Sequence, residues 1–285
     1  MPVPSFIPKP NGYDVELQLY TQVLKLESLH WGYWKDIKEL NVENLKKAQG
    51  AYTTKLLSLV PKGVKNVLDV GAGIGDNAIR FAQKGYRVTA LTPEPNQIKV
   101  FKDLSKKHKN ISYIQSRYED FISSKQFDLI LMSESSNYFP LKSGLEQTAK
   151  YLKPGGYLLL AGLFRKNRSK VFPTWNVISD FEKQAAGVGL KVRIKEDISN
   201  DTAPSMQLGY DFYKAYGEPA INILSEYYKK AFGWKAFFIS LFFRKELKIL
   251  KYIIEQDLPN RLDVKRFKKY GRYLIYLYQK TALPY

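Results

Sequence analysis

Apolar residues recur along this chain in two alternating rhythms. Short apolar runs at 66–70, 86–91, 111–115, 127–132 and 157–161 are separated by stretches of helical spacing at 76–83, 97–107 and 142–152. The runs read as buried strands and the stretches between them as helices. Such alternation predicts a mostly parallel sheet with helices on both faces. Ahead of it, Val15, Leu19, Val23 and Leu26 predict an amphipathic helix over 13–29, and a second helix is expected over 42–59, before the turn Pro61-Lys62-Gly63. Residues 1–12, with four prolines and a glycine, predict an irregular arm. Lys153-Pro154-Gly155-Gly156 predicts a sharp stop after the third of the helical stretches. Beyond the fifth strand the pattern gives a helix at 177–186, a strand at 190–198, an aromatic-rich helical region over 206–258 and a last strand at 271–279. The expected architecture is α/β, a doubly wound, mostly parallel seven-stranded sheet. It divides into an N-terminal helical arm at 1–60, a core at 61–200 and 266–285, and a helical cap at 201–265 inserted before the last strand.

Composition narrows the chemistry. With 285 residues, 45% of them apolar, the chain can bury a large core. It has no cysteine and two histidines, His30 and His108, which excludes thiolate catalysis and Cys-based zinc sites and leaves no His-rich metal set. A formal net charge of +18 favours anionic partners, although a lysine-rich composition alone gives the same balance. The N-terminus lacks a signal core, and the most apolar stretch, Ala236 to Phe243, is too short to span a bilayer. The chain therefore reads as cytoplasmic, soluble or peripheral to a membrane.

The chemistry is carried by Val67-Leu68-Asp69-Val70-Gly71-Ala72-Gly73-Ile74-Gly75, which closes a predicted strand and opens a helix. Glycines there let the backbone turn sharply and approach a ligand. Asp69 just before them suits a cationic group and would repel a pyrophosphate. The run resembles motif I of the class I S-adenosylmethionine-dependent methyltransferases, and Lys153-Pro154-Gly155-Gly156-Tyr157 resembles their later Leu-Lys-Pro-Gly-Gly turn. The resemblance covers roughly residues 13 to 200 and the last strand, and implies a Rossmann-like methyltransferase fold. A narrower similarity lies in Leu29-His30-Trp31-Gly32-Tyr33-Trp34 and Ala48-Gln49. These look like the group holding tocopherol-type, sarcosine-type and sugar methyltransferases and the cyclopropane fatty acid synthases.

That resemblance implies S-adenosyl-L-methionine as cofactor, S-adenosyl-L-homocysteine as product, and no metal. It assigns Asp69, Gly71, Gly73 and Gly75 to the cofactor, and places Tyr20, Leu29 and His30 of the arm within reach of it, with packing as the other role for Tyr20. Thr92 and Gln97, in Ala90-Leu91-Thr92-Pro93-Glu94-Pro95-Asn96-Gln97, would contact ribose or adenine, and Glu94 is a carboxylate that can substitute. Glu119 or Asp120 would accept from the adenine amino group, and Tyr118 would cover the ring. Ser133 and Glu134 follow the fourth strand, at the edge where open α/β sheets bind ligands.

Methyl transfer is an in-line displacement from a sulfonium, and a general base is needed only where the acceptor loses a proton. His30 and Glu134 are the candidates, with a cofactor-contacting or packing role as the alternative for His30. Trp31, Tyr33, Trp34, Asn137 and Tyr138 are the candidate acceptor contacts, the aromatic ones acting either by cation–π attraction or by hydrophobic closure. Cyclopropanation is disfavoured, because the synthases' bicarbonate-holding Cys and Glu positions correspond to Trp31 and Asn137. Residues 219–285 hold 14 of the cationic side chains against 5 acidic ones. The aromatic, basic stretch at 233–245 reads either as an interfacial or lid helix or as a cap helix buried on the core. The expected activity is methylation of a small hydrophobic or amphipathic, lipid- or isoprenoid-like acceptor. The alternatives are N-methylation of a small polar amine, and an RNA-binding or RNA-modifying protein using the basic surface. Contact with an anionic membrane fits the charge, nucleic acid is disfavoured as a partner, and the sequence leaves the oligomeric state open.

Overall fold

The computed structural model describes residues 14–168, 171–235, 241–252 and 258–281. The arm expected at 1–12 lies outside them, as do residues 236–240 of the apolar stretch.

The sheet is built from β1 (Asn66–Val70), β2 (Arg87–Thr92), β3 (Ile111–Gln115), β4 (Phe127–Ser133), β5 (Leu152–Arg165), β6 (Asn176–Val177), β7 (Leu190–Asp197) and β8 (Gly271–Lys280). The strands pair in the order β3-β2-β1-β4-β5-β8-β7, with β6 on β5, so the sheet has eight strands where seven were expected. The eighth is a two-residue parallel contact formed because β5 runs on to Arg165. β8 is antiparallel to both neighbours. Strand order reverses between β1 and β4, which opens a crevice at their carboxyl ends.

Side-chain alternation divides the core. Leu68 and Val70 of β1 join a cluster with Leu145, Phe181, Tyr276 and Tyr278. Val67 and Asp69 point to the other face. Ahead of the sheet stand α1 (Val15–Gln18) and α2 (Val42–Ser58), the latter capped where the Asn41 side chain accepts from Asn44 N at 2.8 Å. Then come α3 (Asp76–Gln83), α4 (Pro95–Ser105), α5 (Leu141–Tyr151) and α6 (Ile178–Gly187).

Two sequence expectations need correction. The helix read over 13–29 is confined to α1 and one π-helical turn, Leu19–Val23. Its end is fixed by the wide-turn bonds Leu24 N to Leu19 O and Leu26 N to Tyr20 O, and by a left-handed Lys25 at φ +52°. The chain must leave the helix there for residues 28–34 to reach the sheet edge. The stop at Lys153–Gly156 holds for α5, which ends at Tyr151, but the fifth strand, expected from 157, already begins at Leu152 and takes these residues in as a bulge: Leu152 pairs with Phe127 and Tyr157 with Leu129.

The chain forms two compact units, Met1–Thr202 with Tyr270–Tyr285, and Ala203–Lys269. The first holds the whole sheet and the N-terminal elements. The second continues α7 (Ser199–Phe212) through a π-helical turn, Tyr213–Gly217, into α8 (Glu218–Phe232), followed by helices at Arg244–Tyr252, Leu258–Arg261 and Val264–Tyr270, the last of which ends beside β8 in sequence.

Gly75 caps α3 at φ +91°, and a Cβ there would stand 2.1 Å from the Phe101 ring. Gly75→Ala combines left-handed strain with a clash against a buried ring, and should lower stability by about 3 kcal/mol, read as a loss of urea midpoint.

Candidate functional site

Beyond Val70 the chain turns at once, with Gly71 N and Ala72 N both donating to Leu91 O at 2.8 and 2.9 Å. Gly71 sits at φ +76°, and a Cβ on it would come 2.5 Å from that of Ser135, so only glycine lets this turn lie against the loop after β4. Asp69 is buried beneath the turn at 1% exposure. Its Oδ2 has no hydrogen-bond partner among the described residues. Burial, reinforced by the Asp76 charge and opposed by His30, pushes the Asp69 carboxyl up to about 7.

Asp76, the first residue of α3, gathers the surrounding segments. Its Oδ2 accepts from Ser28 Oγ at 2.6 Å, His30 Nε2 at 3.1 Å and Thr53 Oγ1 at 3.3 Å, and its Oδ1 accepts from Arg80 Nε at 2.9 Å. Burial alone would raise its pKa, but the bond and charge of His30, with Ser28 and Arg80, outweigh it and hold the group at about 2. His30 Nδ1 lies 2.8 Å from the carbonyl of Trp31. Both ring nitrogens thus face oxygens that can accept a hydrogen bond. Burial lowers the His30 pKa, yet Asp76, Glu134 and the Trp31 carbonyl together raise it above 6.5. His30 is therefore pinned between Asp76 and the Trp31 carbonyl, and both contacts favour its protonated form.

The arm is held along α2 by backbone recognition. Gln49 Nε2 donates to Ser28 O at 3.2 Å and His30 O at 2.8 Å, and Tyr33 N donates to Ala48 O at 2.8 Å. Leu29 overlies the glycine turn, its Cδ1 3.6 Å from where a Cβ on Gly73 would stand.

Glu134 takes a left-handed backbone, φ +57°, at the end of β4, where its N–H donates to Ala161 O at 2.7 Å. Its Oε1 accepts from Trp31 N at 2.8 Å and from the Tyr273 hydroxyl at 2.6 Å. Tyr273 OH lies 3.0 Å from Tyr52 OH, which is 2.9 Å from Ser133 Oγ. Burial raises the Glu134 pKa, opposed by the His30 charge and by the bonds from Tyr273 and Trp31. A carboxylate of raised proton affinity thus sits at the end of a file of hydroxyls.

The remaining predicted residues separate into those that line this edge and those that do not. Thr92 and Gln97 meet, Thr92 Oγ1 donating to Gln97 Oε1 at 3.0 Å, with Glu94 N 3.4 Å from the threonine oxygen. Glu119 is half-buried after β3 and lies 3.8 Å from Arg117 Nε. Tyr20 is half-buried on the π-helical turn. Trp31 packs its ring 5.8 Å from that of Tyr273. Tyr118 is a correction: it is buried in the core cluster, donor or acceptor to Thr148 Oγ1 at 3.0 Å, and cannot cover a ligand ring. Asn137 is another, since its amide is spent on Leu163 O at 2.9 Å and Asn176 N at 2.8 Å. Trp34 is buried and its N–H backbone donor goes to Asp201 O, while Tyr138 is solvent-exposed. Asp76, Tyr52, Thr53, Gln49 and Tyr273 belong to the site but were not assigned to it from sequence. An acidic residue at the first position of the helix after the glycines was a usable signal for Asp76; nothing local in the sequence marks Tyr273.

Comparison with known proteins bears on the fold and the domain. Residues 67–156 match the methyltransferase domain family. A demethylmenaquinone methyltransferase of Tropheryma whipplei is 32% identical over 97 residues, 34% of this chain and 41% of that protein. The chain spans about half the length of the curated relatives it matches. Among solved structures, the geranyl diphosphate C-methyltransferase of Streptomyces coelicolor A3(2), a complex with S-adenosyl-L-homocysteine, superposes with a TM-score of 0.65 at 14% identity, covering 93% of this chain and 92% of that one. The [4+2]-cyclase SpnF superposes at 0.64 and 15% identity, covering 97% and 98%. Residues 67–156 thus carry a methyltransferase domain, on a Rossmann-like methyltransferase fold.

Asp69 binds a proton more tightly folded than unfolded, so its contribution to stability falls as pH rises from about 4 through about 7 and is level above. In the ligand-free protein Asp69→Asn should therefore be the more stable form at pH 8, by at most about 4 kcal/mol, with the gap closing toward pH 4 in parallel thermal melts.

Proposed function

We propose that the chain transfers a methyl group from S-adenosyl-L-methionine to a small hydrophobic or amphipathic acceptor that carries a removable proton. The observation that carries this reading is the buried, half-unpaired carboxylate of Asp69 beneath a glycine turn at the strand-order reversal. An orphaned buried anion is costly, and a cationic ligand group relieves it. The residues present fit the cofactor: Asp69 for the methionyl amino group, the backbone of Gly71 and Gly73 for close approach, and Thr92, Gln97 and Glu119 at the ends of β2 and β3 for the nucleoside. When bound, S-adenosylmethionine supplies an electrophilic methyl group on a sulfonium.

The chain's own residues do the rest. Asp76 fixes the arm through Ser28 and His30, and the arm sets Trp31 N–H on Glu134. Tyr273 donates to the same Glu134 oxygen, leaving Oε2 to take the acceptor's proton. Tyr273 is a positioning residue in this scheme. A hydroxyl or an activated carbon needs such a base; a tertiary amine does not. The hydrophobic class of acceptor draws on the relatives, one named for a demethylated menaquinone and one for geranyl diphosphate.

Calorimetric titration with S-adenosylmethionine and S-adenosylhomocysteine tests the first half of this reading. Micromolar binding by the wild type and its loss in Asp69→Ala are expected, whereas a folded wild type that binds neither would sink the proposal.

The second half concerns Glu134. Glu134→Gln should lower kcat by about 100-fold or more while leaving homocysteine-product affinity intact. Tyr273→Phe removes a bond that lowers the Glu134 pKa, so the acid limb of its pH–rate profile should move to higher pH. An unmoved limb would leave Tyr273 a packing residue only.

A further inference from the structure

We propose that α8 and the segment 241–252 form a face that docks on an anionic lipid bilayer. The amphipathic pattern of α8 is strong. Ile221, Ile223, Leu224, Tyr227, Tyr228 and Phe232 fall on one half of the helix, and Asn222, Ser225, Glu226, Lys229 and Lys230 on the other. In a globular domain the apolar half is the buried half. Here Ile223, Leu224 and Tyr227 are 66–68% exposed. The exposure continues in Trp234 at 72% and in Phe242 at 84%. Isolated exposed apolar residues need no explanation, but a set that recurs along one half of α8 and again at 241–243 does.

Charge selects the occupant. Residues 218–252 carry seven lysines and arginines against three glutamates. Lys229, Lys230 and Lys235 accompany the first apolar set, and Arg244, Lys245 and Lys248 the second. A second copy of this chain would bring the same cations together on a protein of net charge +18. A nucleic acid would satisfy the cations but leave Ile223, Leu224 and Phe242 against a polar surface. A bilayer with anionic headgroups meets both demands: the acyl boundary takes the aliphatic and aromatic side chains, and the lysines reach back to the headgroups. Tyr227, Trp234 and Tyr252 are of the type that settles at such a boundary. No helix among the described residues is long and apolar enough to cross a membrane, so the contact is with the surface. The proposal does not depend on the methyl-transfer reading.

The test is co-sedimentation of the full chain with vesicles of phosphatidylcholine alone and with vesicles of equal parts phosphatidylcholine and phosphatidylglycerol. Binding to the anionic vesicles should exceed that to the neutral ones by at least about tenfold and should weaken with added salt. Trp234 emission should shift to the blue on binding. The pair Leu224→Asp and Phe242→Asp, both at exposed positions, should abolish binding, and Lys245→Glu with Lys248→Glu should weaken it, while all these variants keep the wild-type circular dichroism. Equal binding to both vesicles, no binding to either, or full binding by the aspartate variants would overturn the proposal. So would concentration-dependent self-association in sedimentation velocity that Leu224→Asp abolishes without any vesicle binding, since it would give the face to a second copy.

Discussion

The carboxylate of Asp76 accepts from Ser28, His30, Thr53 and Arg80, and the path of the arm follows from satisfying it. A buried anion must be paired, and two of its partners lie in a segment of little regular structure. The arm therefore surrenders its helix at Val23 and runs past α2, with Gln49 donating and Ala48 accepting what the lost helical bonds would have supplied. Once Ser28 and His30 are fixed, Trp31 N–H can only fall near Glu134, and Leu29 near Gly73. One ion pair at the start of α3 thus positions contacts at the ends of both β1 and β4.

The charges inside the site run against those of the molecule. The chain is strongly cationic, yet Asp69, Asp76 and Glu134 cluster here against His30 and the partly exposed Arg80. Asp76 and His30 neutralise one another, so the surplus falls on Asp69 and Glu134, and burial raises both carboxyls. Such a surplus is unfavourable in the empty site. A cation at Asp69 or a proton at Glu134 would relieve it. Stability without ligand and affinity for ligand are therefore opposed at Asp69.

Most of the sheet was legible because its strands are short apolar runs bounded by glycine, proline and charge. β3 was read at its observed limits, and β1 with its glycine turn was unmistakable. Local periodicity failed where tertiary bonds override it. Val15, Leu19, Val23 and Leu26 keep helical spacing, but the chain is drawn out of the helix by polar contacts at positions 28 and 30. Tyr118 and Asn137 were placed at the edge by analogy of position. Their side chains turn inward, one to Thr148 and the other to two backbone groups, because the loops carrying them need those bonds. Tyr52 and Tyr273 were illegible for another reason. Among 21 tyrosines nothing distinguishes the two whose hydroxyls meet, since the meeting depends on strand order.

That strand order has a further consequence for Tyr273. β8 enters between β5 and β7 only after the chain has passed through the whole 203–269 unit. The exit and the entry of that excursion are fastened together: Tyr273 N donates to Ser199 Oγ at 2.8 Å, and Ile198 N donates to Tyr273 O at 3.0 Å. Ser199 Oγ in turn bonds the Asp197 carboxylate at the end of β7. The residue whose hydroxyl orients Glu134 is thus the one whose backbone closes the base of the insertion. The bonds that fasten the two ends therefore lie wholly within the unit that holds the sheet.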